Sequence, residues 1–244
     1  MKKTEILTLG VILIVAALLR LPLVSKGFFA FTSDQGRDLL AVQDIVENIN
    51  LTLIGPTTGL PGIFYGPWWY YFLTPLFFIS QGNIQTIAII FTLIGQATIV
   101  LLFFLVIEVT RSIPLALVAA ATAALSGPFI TSSSQIWSPS LVLPLMIAYV
   151  LSLHKIFQKP RPVWFLVLGL SCGFIADSGA AFGIVITAAT IISATIFRKN
   201  FFGKDFLFFF LGLLLVFLPR IIFDVRNDFL ITKSILNWVA SPNI

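Results

Sequence analysis

Asp34, Arg37 and Asp38 lie within five residues of one another, just after Phe31-Thr-Ser33 and just before the apolar residues Leu39, Leu40, Val42, Ile45 and Val46. A carboxylate placed there can accept a proton from an attacking hydroxyl, and a guanidinium can hold a developing anion with two parallel N–H donors. Asp177-Ser-Gly179 supplies another carboxylate, and Arg220, Asp224, Arg226 and Asp228 follow Pro219. Aromatic side chains accompany them: Tyr65, Trp68, Trp69, Tyr70 and Tyr71 fall within 64–72, and Trp137 ends the polar stretch that begins at Ser132. Each group also has a plain structural reading. Asp34 suits a helix start, Asp177 a turn, and Arg220 with Asp224 an ion pair four residues apart on a helix. A single histidine, His154, and a single cysteine, Cys172, leave zinc hydrolysis, heme ligation and Cys/His proteolysis without a ligand set.

The elements that must position these residues are set by the solvent, which is lipid. Of 244 residues, 58% are apolar and 10% charged, and the mean hydropathy is +1.03. No soluble domain of this length hides so much apolar surface. The net charge of +5 therefore reflects basic loops at a membrane rather than a nucleic-acid partner.

A bilayer core of about 30 Å takes roughly 17–25 apolar residues per helix. Runs of that kind cover residues 5–24, 84–108, 113–130, 138–154, 163–178, 180–197 and 205–222. The first follows Lys2-Lys3 without a cleavage site, ends at Arg20-Leu-Pro22, and reads as an uncleaved span. The positive-inside rule puts Lys155, Lys159, Arg161, Arg198, Lys199 and Lys204 in the cytoplasm, together with Lys2, Lys3 and Arg111. Nine of the 15 Lys and Arg then lie inside, and seven of the ten acids outside. Residues 25–83 form an external loop in which 64–79, interrupted by Pro75, is a juxtamembrane or re-entrant helix. The expected fold is all-α: one bundle over 1–244 with seven spans, the N-terminus cytoplasmic and the chemistry outside. A full span at 64–79 makes eight and reverses the downstream loops.

Within that loop Ser33 is positioned to cap a helix starting near Asp34, with its apolar side lying on the membrane. Residues 51–63 form an irregular Gly/Pro-rich link of the kind tolerated beside a water-accessible cavity. Gly169 with Gly173, Gly179 with Gly183, and the Ala-rich run 119–124 offer small faces for close helix packing.

A first span ending in Leu-Arg20-Leu-Pro, an acidic motif opening a juxtamembrane helix, an aromatic segment after Gly66-Pro67, and Trp137-Ser-Pro139 at an external helix start together resemble the GT-C superfamily of membrane glycosyltransferases. Protein O-mannosyltransferases and the aminoarabinose and RgtA/B/C/D-like transferases are the nearest groups. The resemblance implies inverting transfer of a sugar from a polyprenyl-phosphate donor to a hydroxyl of a protein, lipid or glycan acceptor, outside the plasma membrane. Asp34 is implied as the base. Asp38 is implied as a second carboxylate, because the familiar Asp-Glu pair is Asp34-Gln35 here. Arg37, Arg220 or Arg226 would stabilise the departing lipid phosphate, and Tyr65, Trp68 and Trp69 would line the sugar or prenyl entrance. Trp137 and Asp177 join the expected substrate-binding residues. A divalent cation stays open as a cofactor, and no other is expected. Relatives continue beyond the point where this chain stops, so a fragment or a minimal form is expected. A transporter or lipid flippase, and a non-catalytic membrane scaffold, are the competing readings.

Overall fold

The computed structural model describes residues 2–197, 201 and 203–240, and all of its regular elements are helical. The basic pair Arg198-Lys199 and the terminus at 241–244 lie outside the described residues. In chain order the helices are α1 (Lys3–Ser25), α2 (Ser33–Asn48), α3 (Trp68–Ser80), α4 (Ile84–Thr110), α5 (Ile113–Leu125) and α6 (Gly127–Ser132). A 3-10 turn, Ser138–Leu141, leads into α7 (Val142–Gln158), followed by α8 (Pro162–Ser178) and α9 (Ala180–Ile196). A second 3-10 turn, Lys204–Phe206, opens α10 (Leu207–Arg226), and α11 (Leu230–Ala240) follows.

Four helical stretches are long and apolar enough to cross a membrane: Lys3–Ser25, Ile84–Thr110, Ser138–Gln158 and Lys204–Arg226. Three shorter apolar helices, α5, α8 and α9, stand beside them. Their outer faces carry exposed Ile6, Leu18, Ile184, Ile191 and Phe210, which only a lipid solvent accommodates. This is a helical membrane protein. Helix α3 has 13 residues, roughly 20 Å at 1.5 Å per residue, and is too short to cross.

Side-chain contacts define two ends. The Gln85 amide donates to the Ser25 carbonyl at 2.5 Å, which sets the start of α4 beside the end of α1. Lys155 is ion-paired with Glu108, so α4 and α7 finish together at the opposite end. The chain therefore runs up and down, and the whole of 25–83 gathers at one end.

Two of the expected spans differ in detail. Helix α1 does not close at Arg20-Leu-Pro22 but continues to Ser25. Pro22 falls near the helix end, where its missing N–H removes a single ladder bond. The run 113–130 is broken at Ser126, whose hydroxyl accepts from the Phe129 N–H at 3.5 Å to start α6 with Pro128 in its first turn. The break strands the last carbonyls of α5, and Arg20 serves them. Its fully buried guanidinium donates to Ala124 O at 2.9 Å, Ala123 O at 3.3 Å and Ala16 O at 3.0 Å, and its Nε to Ser133 Oγ at 3.1 Å. Arg20 is thus a clamp between α1 and the α5–α6 break.

The small faces are used as their spacing suggests. A Cβ on Gly169 would fall 2.1 Å from the Phe209 carbonyl oxygen, and one on Gly173 2.8 Å from Val216 Cβ, so α8 and α10 touch backbone to backbone. Ala116, Ala120 and Ala124 of α5 pack into the cluster that holds Ala16, Ile99 and Phe103. Helix α11 turns back after Asp228 and Phe229, both in the left-handed region with φ of 52° and 58°. Its Ser234 closes on Gly62, where a Cβ would lie 2.2 Å from the hydroxyl oxygen.

Candidate active site

Helix α2 is capped by Thr32 rather than Ser33. The Gln35 side-chain oxygen accepts the Thr32 N–H at 2.6 Å and its hydroxyl at 2.5 Å. Gln35 is occupied by this cap. Asp34 in the first turn is left free of capping duty, with its side chain 64% exposed. Arg37, one turn on, reaches both carboxylates: its Nη1 lies 3.2 Å from Asp34 Oδ1 and its Nη2 2.9 Å from Asp38 Oδ1. Nη1 also donates to Thr57 Oγ1 at 3.1 Å.

Asp38 is the inner carboxylate, 8% exposed. Its second oxygen accepts the Trp69 indole N–H at 2.9 Å, tying α2 to α3. Burial pushes the Asp38 carboxyl above its ordinary value, against the lowering effect of Arg37 and Trp69. Burial, together with the adjacent Asp38 carboxylate, pushes the neighbouring Tyr70 phenol up to about 12, which keeps it neutral. Leu39, Val42 and Ile45 bury themselves against α3 and Val24, so the apolar side of α2 lies on protein. Leu40, a third of a turn away from Leu39, remains exposed.

A second cluster sits on the other side of the aromatic segment. Residues 55–66 are not an irregular link but fold into a hairpin-like turn. Gly55 N–H donates to Tyr65 O at 2.8 Å, Tyr65 N–H to Pro56 O at 2.9 Å, and Thr58 N–H to Ile63 O at 3.0 Å. The turn delivers the Gly66 N–H to Asp177 Oδ1 at 2.6 Å. Asp177, 4% exposed, also meets Arg220 Nη2 at 3.5 Å. Arg220 donates to Phe64 O at 3.4 Å and lies over the Phe217 ring at 4.7 Å. The expected pairing of Arg220 with Asp224 is therefore not made. Asp224 accepts from the Ile231 and Thr232 backbone and the Thr232 hydroxyl, fastening α11 to α10.

Between the clusters lies a cavity of about 410 Å³ walled by Trp68, Trp69, Phe72 and Phe174, with Ile94 and Leu145 in its lining and Asp177, Ser138 and Ser178 among its polar groups. Trp68 is fixed by its indole N–H on Val216 O at 2.8 Å and by an edge contact with Phe174. The structure thus brings Asp34, Arg37, Asp38, Trp68, Trp69, Asp177 and Arg220 around one element, the start of α3. Tyr65 contributes its backbone to the hairpin and faces Arg220. Trp137 and Arg226 stand apart. Trp137 lines a different cavity, and Arg226 is exposed at the end of α10 with no ion pair among the described residues. Phe72, Phe174 and Ser138 also line the cavity between the clusters; Phe72 belongs to the aromatic run 64–72 and Ser138 to Trp137-Ser-Pro139, which could have pointed to them, whereas Phe174 sits in an apolar run that gives no such signal.

Among the described residues, no three His, Cys, Asp or Glu side chains that could hold a metal ion come together. Asp34 and Asp38 do not fit a divalent cation, because the Arg37 guanidinium occupies the position between them.

Fold and site define a helical membrane protein with an aromatic-walled cavity at one end of its bundle and, behind the Trp69 wall of that cavity, a pair of carboxylates bridged by an arginine. No family model, no curated protein and no solved structure matches the chain.

Proposed function

We propose that this protein is a membrane glycosyltransferase that moves a sugar from a polyprenyl-phosphate donor to a hydroxyl acceptor, with inversion at the anomeric carbon. The observation that carries the reading is the exposed Asp34 carboxylate, held by Arg37 beside a buried Asp38 that is itself bonded to a wall of the aromatic cavity. In the reaction the acceptor oxygen bonds to the anomeric carbon while its proton passes to Asp34. The bond from that carbon to the phosphate oxygen breaks, and the charge left on the lipid phosphate is met by a guanidinium. Arg37, with 41% of its side chain exposed, is better placed for this than Arg220, with 22%. The cavity walled by Trp68 and Trp69 has the depth and apolar character to take a prenyl segment or a sugar ring. Asp38 acts by holding Arg37, not as a second base.

Seven spans, with α5 and α6 counted as one broken crossing, and an external plasma-membrane location for residues 25–83 belong to the same reading. Its support is that Glu108, Arg111 and Lys155 meet at the end opposite the carboxylates, as a basic cytoplasmic face requires. The test is sugar transfer by purified protein in lipid, supplied with a panel of polyprenyl-phosphate sugars, comparing the parent with Asp34→Asn. Transfer that disappears in the variant supports both the class and the base. Movement of the donor lipid across the bilayer without transfer would replace the reading with that of a flippase.

A further inference from the structure

The cavity lined by Trp137 shares no residue with the one walled by Trp68 and Trp69 and, unlike it, has no charged group in its lining. It encloses about 790 Å³ between α6, the 3-10 turn, α7 and the first turn of α9. A smaller cavity of about 410 Å³ shares Thr131 and Gln135 with it and extends to Phe28, Phe29 and Ala30. Together they make a groove that runs across the loop end of the bundle and stops four residues before Asp34. No charged side chain lines either part.

Most hydroxyls of the groove are turned to backbone carbonyls; the exception is Ser126, whose oxygen accepts the Phe129 N–H and whose proton stays free. The Thr131, Ser132 and Ser140 hydroxyls donate to the carbonyls of Gly127, Phe129 and Gln135 at 3.2, 3.3 and 3.2 Å. Their protons are spent on backbone, so what they offer a ligand is lone pairs, which call for a donor. The Gln135 side-chain amide makes no hydrogen bond among the described residues, and neither does the Trp137 indole N–H. Trp137 exposes 48% of its surface, large for a tryptophan standing beside a cavity. The rest of the lining is apolar, with Pro128, Pro139, Leu143 and Phe182 beside Trp137, so the groove offers apolar walls and an open aromatic platform for the C–H faces of a ring, a few unspent polar groups for its hydroxyls, and no charge: a surface for a neutral sugar chain.

We propose that the groove running from Trp137 through Gln135 to Ala30 binds a neutral glycan chain. On the transfer reading given above, this glycan is the acceptor, led to Asp34 by the groove; the binding itself does not depend on that reading.

The experiment measures binding in the absence of any sugar donor, so its result is separate from whether transfer occurs. The full chain in phospholipid nanodiscs is titrated by calorimetry with maltohexaose, cellohexaose and mannohexaose, and with an oligogalacturonate as the charged counterpart. At least one neutral chain is expected to bind, and the charged chain at least about tenfold more weakly. Trp137→Ala is expected to weaken binding about tenfold and Gln135→Ala several-fold, while Trp137→Phe retains most of it and His154→Gln, at the opposite end of the bundle, changes nothing. Absence of binding by every neutral chain would overturn the proposal. So would equal binding of the charged chain, or affinity unchanged in Trp137→Ala.

Discussion

The two carboxylate–arginine clusters flank the same pair of tryptophans yet are built to opposite ends. In the Asp34–Arg37–Asp38 cluster one carboxylate faces solvent and the guanidinium is shared, so charge remains available. In the Asp177–Arg220 cluster the carboxylate is sealed and its Oδ1 takes both a backbone N–H and the guanidinium. The first can meet a ligand without breaking anything; the second cannot release a partner without leaving a charge buried. Similar residue types at one end of a bundle thus divide into chemistry and architecture, and exposure decides which is which.

The largest effect that tests this division is on Asp34. Asp34→Asn is expected to slow sugar transfer by about 10²- to 10⁴-fold. Thermal unfolding should barely move, because an exposed ion pair contributes about 0–1 kcal/mol. A variant that lost stability in proportion to activity would place Asp34 with the architecture instead.

Next in size is the sealed cluster. Asp177→Asn or Arg220→Met should each destabilise the fold by about 3 kcal/mol, read as an earlier thermal transition in lipid. The double variant Asp177→Leu/Arg220→Met should recover part of that loss, since no uncompensated charge remains. If instead either single variant abolished transfer at unchanged stability, the cluster would belong to the chemistry and the comparison would collapse.

Gly66 tests the same cluster from the backbone side. A Cβ there would fall 2.7 Å from both Asp177 oxygens, so Gly66→Ala is expected to cost about 1–3 kcal/mol as the hairpin is pushed off its anchor. Gly10→Ala in α1 meets nothing within 4 Å and should stabilise by up to about 1 kcal/mol. Opposite signs in paired unfolding measurements would show that the first effect comes from the site and not from helix propensity.

What was legible in the sequence follows the range of the interactions. The apolar runs at 5–24, 84–108, 138–154 and 205–222, the short α3 and the small faces on Gly169 and Gly173 depend on local periodicity and composition, and they stand where the residues suggest. The loop end was legible as a collection of charges, but their pairing was not. Arg220 prefers Asp177, 43 positions earlier, to Asp224 one turn away, because Asp224 is drawn off by the Thr232 backbone and hydroxyl. Arg20 reads only as the charge that ends the first span, whereas it bonds Ala123 and Ala124 carbonyls exposed by a helix break about a hundred residues away. Thr32 caps in preference to Ser33 because Gln35 three residues on completes a capping box with it, a spacing present in the sequence, whereas Ser33 is followed at that spacing by Gly36. The cavity beside Trp137 was not legible, since Phe182 of α9, which lines it, cannot be inferred from the segment around Trp137.

The smallest expected effect sharpens the comparison within the first cluster itself. A carboxyl whose folded pKa is raised by burial contributes stability below its unfolded pKa and loses that contribution as pH rises through the folded value. Ionised Asp38 is therefore a cost to the fold at neutral pH that its neutral form does not carry, although Arg37 and Trp69 offset part of it. Asp38→Asn keeps an acceptor for the Trp69 indole while removing the charge. Measured from about pH 3 to about pH 8, its unfolding temperature should match the parent's at the acid end and rise above it toward neutrality, by less than the Gly66→Ala effect. Transfer should fall nonetheless, because Arg37 loses the inner carboxylate that holds it beside Asp34. A variant more stable and less active than its parent would mark Asp38 as a residue kept ionised to position Arg37. If stability instead fell at neutral pH, the ion pair with Arg37 would outweigh the burial of the charge, and Asp38 would join Asp177 on the architectural side.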